Sequence, residues 1–430
     1  MSLVLNPDQQ KAKEFFSRWW NSDRRYAILE GVAGTGKTTI VNELVKDLKN
    51  CDPLFTAATN EACKQLEIAL PSKAIIRTTY SALGFNFNTS EESRTLQQGG
   101  LSKIIDDVNL IIVDECSMIG QKLLDALEET DKKILFIGHR SQLPEVVKNL
   151  SVFDDCQSVV FKQDFPIYTL TTPERNKGEL FEFISGLEKL IYYNPRIIPR
   201  KYSENSEYLL DYIHSKEGKH ELLVEDAKII CWSNAEVDKF NKEARKSIFG
   251  KSDLPDFVLR DRIVLTEPVS FVEPLGGMTK NQVGSLLGSD ESKTFSANTK
   301  GIVRAVRQVS VLNIPCWELE IEVGKDRPCI YVPISAEKLE MLRNGLKQEC
   351  YGYTTKQARD KAWRRYHFLM SCFAKVKHSY AITTHRSQGM TIPKVFVNWS
   401  DIRKCQNVYM KHKLLYVAAS RVQSDLKIIV

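Results

Sequence analysis

Eight residues constrain this chain more than any others: Gly31-Val32-Ala33-Gly34-Thr35-Gly36-Lys37-Thr38. They follow an apolar run, Tyr26-Ala27-Ile28-Leu29, and precede a segment in which Ile40, Val41, Leu44, Val45 and Leu48 recur at helical spacing. The glycines let the backbone curl so that successive N–H groups converge, and the helix N-terminus behind them adds the positive end of its dipole. Such a cradle suits phosphate oxygens. The pattern G-x-x-x-x-G-K-[ST] therefore predicts a nucleoside-triphosphate site, with Lys37 on the β- and γ-phosphates, Thr38 ligating Mg²⁺, and Thr39 beside it.

The chain has 430 residues, 43% hydrophobic and 27% charged. That length suggests about three domains, each able to bury a core. No apolar run approaches the ~20 residues of a membrane span and no signal peptide opens the chain, so a cytoplasmic protein is expected. The ten cysteines form no C-x-x-C pair and the seven histidines do not cluster with them, which points to reduced thiols rather than a zinc site. A net charge of +6 is compatible with a nucleic-acid partner without requiring one.

Leu110-Ile111-Ile112-Val113-Asp114-Glu115 reads as a buried strand ending in two carboxylates. At the carboxyl end of a parallel sheet, Asp114 would hold Mg²⁺ and Glu115 would orient and deprotonate the attacking water. A second apolar strand, Ile134-Leu135-Phe136-Ile137, leads into a loop carrying Gln142, where an amide can sense the γ-phosphate.

Seen together, these and later segments resemble the motifs of superfamily 1 helicases, in the RecD-like, 5′→3′ branch. Leu5-Asn6-Pro7-Asp8-Gln9 resembles the Q-motif, whose glutamine, here Gln9, reads adenine in the family. Thr59 and Asn60 match motif Ia, Thr78-Thr79-Tyr80-Ser81 motif Ib, Asp114-Glu115 motif II and Gln142 motif III. Arg175 falls where motif IV carries its arginine; Thr383 to Thr391, with His385, Gln388 and Gly389, resembles motif V; Leu415 to Arg421 resembles motif VI. The matches run in family order over nearly the whole chain. Departures from the family pattern are Ala58, Tyr80, His139 and Glu145, which remove no phosphate or Mg²⁺ ligand but bear on coupling between nucleotide and DNA.

The resemblance implies an α/β fold of two RecA-like parallel-sheet lobes. The first would span 1–147, with a β-hairpin excursion at about 82–100. The second would span 148–245 and 379–430, interrupted at 246–378 by an SH3-like β insert. The residues agree with the outline: apolar strands recur at Lys228–Trp232, Val395–Val397 and Leu426–Val430, and Trp317–Val323 alternates apolar and charged residues as a half-exposed antiparallel strand does. The glycine- and serine-rich stretch Leu275–Ser296 is expected to be a mobile loop. Arg175 and Arg421 would then act across the lobe interface on the γ-phosphoryl group, while Gln388 and Gly389 contact the nucleotide.

Single-stranded DNA would be held chiefly through its phosphates by Thr59, Asn60, Thr79, Tyr80, Asn234, Thr383 and His385. In the excursion, Phe85 and Phe87 lie at alternate positions and could either stack bases at a fork or anchor the hairpin on its lobe. The basic segment Lys356–Arg365 reads either as a DNA contact or as a solvated helix face. The function expected is an ATP-dependent DNA helicase, acting as a monomer on single-stranded and fork DNA, with a single-strand-binding protein as companion. Two alternatives are a non-translocating nucleotide switch and a nucleic-acid binder with a vestigial ATPase. The distant arginines argue against the first, and intact Lys37, Thr38, Asp114 and Glu115 against the second.

Overall fold

The computed structural model describes residues 5–32, 34–88, 95–98, 101–145, 154–172, 178–190, 200–271 and 293–430. Helix α1 (Pro7–Trp20) starts on a reciprocal cap: Asn6 Oδ1 accepts the Gln9 N–H at 2.8 Å, and Gln9 Oε1 accepts the Asn6 N–H at 3.1 Å. Strand β1 (Tyr26–Gly31) follows, then helix α2 (Lys37–Asp47), β2 (Pro53–Ala57), helix α3 (Asn60–Ala69) and β3 (Ile75–Thr78). A short antiparallel hairpin, β4 (Phe85–Asn88) and β5 (Thr95–Gln98), precedes β6 (Leu110–Asp114), β7 (Lys133–Gly138) and β8 (Ile167–Leu170).

The first sheet is parallel throughout, in the order β3-β2-β6-β7-β1-β8. Its central strands are apolar because both faces are covered. Leu110 and Ile112 of β6 pack with Phe16, Ile40 and Phe55 on one side; Ile111 and Val113 pack with Leu124 and Phe136 on the other. The strand period of two is thus read out as two cores, one per face. The order also matters for chemistry: β7 lies between β1 and β6, so the loops after all three strands open side by side.

The expected boundary at residue 147 is corrected by β8, which pairs in parallel with β1 at the edge of the first sheet. The first lobe therefore continues to at least Leu170. Four residues of mixed polarity carry little local signal, and only the neighbouring β1 identifies them as part of that sheet.

The second sheet is also parallel, in the order β18 (Ala381–Thr383), β10 (Ala227–Cys231), β19 (Ile392–Asn398), β20 (Val422–Ile429) and β9 (Ser203–Glu204). Between β10 and β18 the chain builds a different layer: an antiparallel sheet in the order β16 (Cys329–Pro333), β15 (Ile314–Glu322), β14 (Lys300–Val311), β11 (Arg262–Leu265) and β17 (Val376–His378). Leu312 and Asn313, both at positive φ, make the two-residue turn from β14 to β15 that suits the twist of a hairpin. Helix Ala336–Tyr351 packs on this sheet through Leu346 and Cys350, and helix Lys356–Ser371 through Trp363, Tyr366 and Leu369. Of the stretch expected to be a mobile loop, residues 275–292 lie outside the described residues, while Lys293–Phe295 form β13, paired with β12 (Val269–Phe271). Among the described residues no helix is long and apolar enough to cross a membrane.

Candidate nucleotide site between the lobes

The loop after β1 turns through Gly34 and Gly36, both at positive φ, and enters α2 at Lys37. Gly31 tolerates no side chain: a Cβ there would meet Thr35 Oγ1 at 2.7 Å and Leu170 Cβ at 3.1 Å. Thr35 is fully buried and donates to the Val32 carbonyl at 3.0 Å, drawing the loop closed. Gly31 and Val32 present their carbonyls to the Lys37 ammonium at 2.7 and 3.1 Å. Burial pulls that ammonium below the usual lysine range, against the opposing charges of Glu115 and Asp114. Gln9, 4% exposed, donates from Nε2 to the Thr35 carbonyl at 3.4 Å, so the Q-motif segment braces the loop directly. Ala33 lies outside the described residues.

Asp114 ends β6 two strands from β1. Burial, reinforced by the charge of Glu115, pushes its carboxyl above the usual carboxylate range. Glu115 follows in the left-handed region, at φ 52°, a conformation that costs a non-glycine residue free energy and turns its side chain away from the strand direction. Its Oε2 accepts from Gln142 Nε2, across from the loop after β7. Gln142 is oriented by its other end, since its Oε1 accepts the His139 N–H at 2.9 Å. His139, which departs from the family pattern, is buried; desolvation lowers its pKa to about 3 and keeps the ring neutral.

The second lobe closes the site. A cavity of about 450 Å³ is walled by Gly34, Gly36, Lys37, Thr38, Thr39, Asp114, Glu115 and Gln142 from the first lobe and by Gly389, Ser420 and Arg421 from the second. Arg421 is 5% exposed and is fixed by its Nε, which donates to the Val417 carbonyl at 3.1 Å. Gln388 takes a different place from the one expected. Instead of lining the cavity, its Nε2 crosses to Ser117 Oγ at 3.3 Å and Glu115 Oε2 at 3.5 Å. Arg175 lies outside the described residues, but the segment leading towards it is anchored: Asp8 Oδ2 accepts the N–H groups of Thr171 and Thr172 at 2.8 and 3.0 Å.

Sequence reasoning missed four contributors. Helix α3 supplies Ala62, Gln65 and Leu66 to the cavity wall, which its amphipathic pattern could have suggested. Ser117 had no motif to mark it. Glu30, buried inside β1, holds the Arg140 guanidinium in a two-point pair, and Lys413 reaches the same loop from the other lobe.

The residues expected to hold a strand divide. Thr59 caps α3, accepting the Ala62 N–H at 3.2 Å, with Asn60 beside it. Tyr80 is half-buried, Asn234 is exposed at a helix start, and Thr383, which ends β18, and His385, in the one-turn helix that follows, are half-buried. Two expectations need correction. Thr79 is fully buried and donates to Thr56 Oγ1 at 3.3 Å, so it supports the loop from within and offers nothing to a strand. Phe85 is 4% exposed and packs edge-on against Tyr80 in the core beside β6, so it anchors the hairpin and does not stack bases. The side chain of Phe87 lies outside the described residues. The Lys356–Arg365 segment forms the start of a helix with Lys356, Arg359, Lys361 and Arg364 exposed.

Known proteins are similar to this chain in sequence and in fold. Residues 4–175 match the family described as an AAA domain, and residues 378–429 the family described as the UvrD-like helicase C-terminal domain. The ATP-dependent DNA helicase dda of Enterobacteria phage T4 is 24% identical, with 98% of each chain covered. The ATP-dependent DNA helicase Pif1 of Campylobacter jejuni is 23% identical over 92% of this chain and 86% of its own. A Pif1 chain solved in work on unwinding of forked duplex DNA by two coordinating Pif1 helicases superposes with a TM-score of 0.54 at 18% identity, covering 99% of this chain and 92% of that one. Bacteroides Pif1 bound to single-stranded DNA gives a TM-score of 0.50 at 17% identity, with 99% and 92% covered.

Proposed function

Because this chain belongs to the superfamily 1 helicases, in the branch of the Dda and Pif1 enzymes, we propose that it hydrolyses ATP to translocate 5′→3′ along single-stranded DNA and unwind duplex. One observation carries the reading: a single cavity takes Lys37, Asp114 and Glu115 from one parallel sheet and Arg421 from the other. A nucleotide there touches both lobes, so binding draws them together and hydrolysis releases them.

Within that cavity each residue has a task. Lys37 and Arg421 place positive charge where the γ-phosphoryl oxygens develop negative charge, and Arg175 is assigned to join them. Glu115, held by Gln142, takes the proton of the attacking water. Thr38 and Asp114 offer a hydroxyl and a half-buried carboxylate, an oxygen donor set that fits Mg²⁺ completed by water and phosphate. When bound, the ion neutralises charge on the β- and γ-phosphates. Gln9 is assigned to the adenine while bracing the loop.

Thr59, Asn60 and Tyr80 on one lobe and Asn234, Thr383 and His385 on the other are assigned to the phosphates of one strand, which the closing lobes move along. The chain acts as a monomer in this reading, with a single-strand-binding protein and fork DNA as partners, and the likeness to Pif1 bound to single-stranded DNA supports the choice of DNA. Steady-state ATP hydrolysis tests it: single-stranded DNA is expected to raise kcat at least about tenfold, since strand binding completes lobe closure. Equal rates with and without DNA would favour the nucleotide-switch alternative.

A further inference from the structure

Lys413 is a lysine in the otherwise largely apolar helix Val408–Ala419, and it is 2% exposed. Its ammonium leaves the second lobe to donate to two backbone carbonyls of the first, that of Arg140 and, at 3.1 Å, that of Gln142. Both carbonyls belong to the turn after β7, which is closed by the Gln142 N–H donating to the His139 carbonyl at 3.0 Å. The turn is fastened from its own lobe as well. Glu30 accepts from the Arg140 backbone N–H at 3.1 Å and from its guanidinium at 2.7 and 2.8 Å.

We propose that Lys413 is a positioning residue for ATP hydrolysis, clamping the Arg140–Gln142 turn against the second lobe so that the Gln142 amide holds Glu115. The proposal rests on the helicase reading above. Packing alone gives no reason for a charge here: Leu414, Leu415 and Val417 already fill the core around it, and burying an ammonium is costly unless donors are satisfied. Burial draws Lys413 down to about 8, the mark of that cost. What the ammonium gains is two carbonyls on the turn that aims Gln142. The helix carrying it ends just before Arg421, so one rigid element delivers Arg421 to the phosphates and Lys413 to the turn. Glu115 is thereby held correctly only when the lobes are together, which ties the chemical step to closure.

A double-mutant cycle on DNA-stimulated hydrolysis tests this, using wild type, Lys413→Met, Gln142→Ala and the pair. Lys413→Met is expected to lower kcat about tenfold while the Kd for ATP changes less than about twofold. In the Gln142→Ala background the same substitution should change kcat less than about twofold, because the residue it acts through is gone. An equal loss in both backgrounds, or a rise in Kd that matches the fall in kcat, would overturn the proposal. Should Lys413→Met fail to fold, Lys413→Leu, which likewise removes every donor and keeps an apolar side chain, is read in the same cycle by the same criteria. Wild-type turnover reports separately on the helicase reading.

Discussion

Lys37→Ala is expected to abolish ATP turnover and to weaken nucleotide binding, whereas Glu115→Gln is expected to bind Mg²⁺–ATP normally and stall. Lys37 opens α2 with its ammonium among the Gly31 and Val32 carbonyls, half-buried at the cavity wall. Alanine removes the one charge that the loop itself brings to the phosphates. Glutamine at 115 keeps the size and the hydrogen-bonding reach of glutamate but cannot take a proton, and loss of a general base costs about 10²–10⁴ in rate. Nucleotide titrations and single-turnover hydrolysis separate the two. The same loss of binding in both variants would contradict the assigned roles.

Arg421→Ala is expected to lower kcat by about 10³–10⁵ while changing the Kd for ATP less than about tenfold, as for an arginine that acts on the transition state. The side chain is already held for that task, since its Nε donates to Val417 and its guanidinium to Ser420 Oγ at 2.8 Å. A substitution that raised KM alone would place it outside the reaction. Thermal unfolding of the variant controls for the packing lost with a buried side chain.

Local, contiguous patterns made most of the architecture legible. The strand, glycine turn and helix around Lys37, and the apolar strands ending at Asp114 and Gly138, each carry their signal within a dozen residues. Features set by distant pairing did not show. β8 became part of the first sheet only through β1. The alternation of Phe85 and Phe87 indicated a strand but not which face meets the core, and Phe85 turned inward. Thr79 matched a DNA-binding motif yet bonds Thr56 beneath the surface.

The site shows the same division. Lys37, Asp114, Glu115, Gln142 and Arg421 were named from motifs, and the cavity brings these five together. Glu30 escaped because it ends an apolar run and Lys413 because it follows Lys411 and His412 like one more surface charge, and each has its partner more than a hundred residues away. Burial makes such charges costly, and the hydrogen bonds that offset the cost are visible only in three dimensions.

The account stands most directly on unwinding of a duplex that carries a single-stranded tail on one end only. With ATP and Mg²⁺, the protein is expected to displace the strand from a 5′-tailed duplex and to leave the 3′-tailed one intact, with Glu115→Gln inactive on both. Unwinding of the 3′-tailed duplex alone would contradict the direction, and ATP hydrolysis without displacement of either strand would contradict the helicase reading itself.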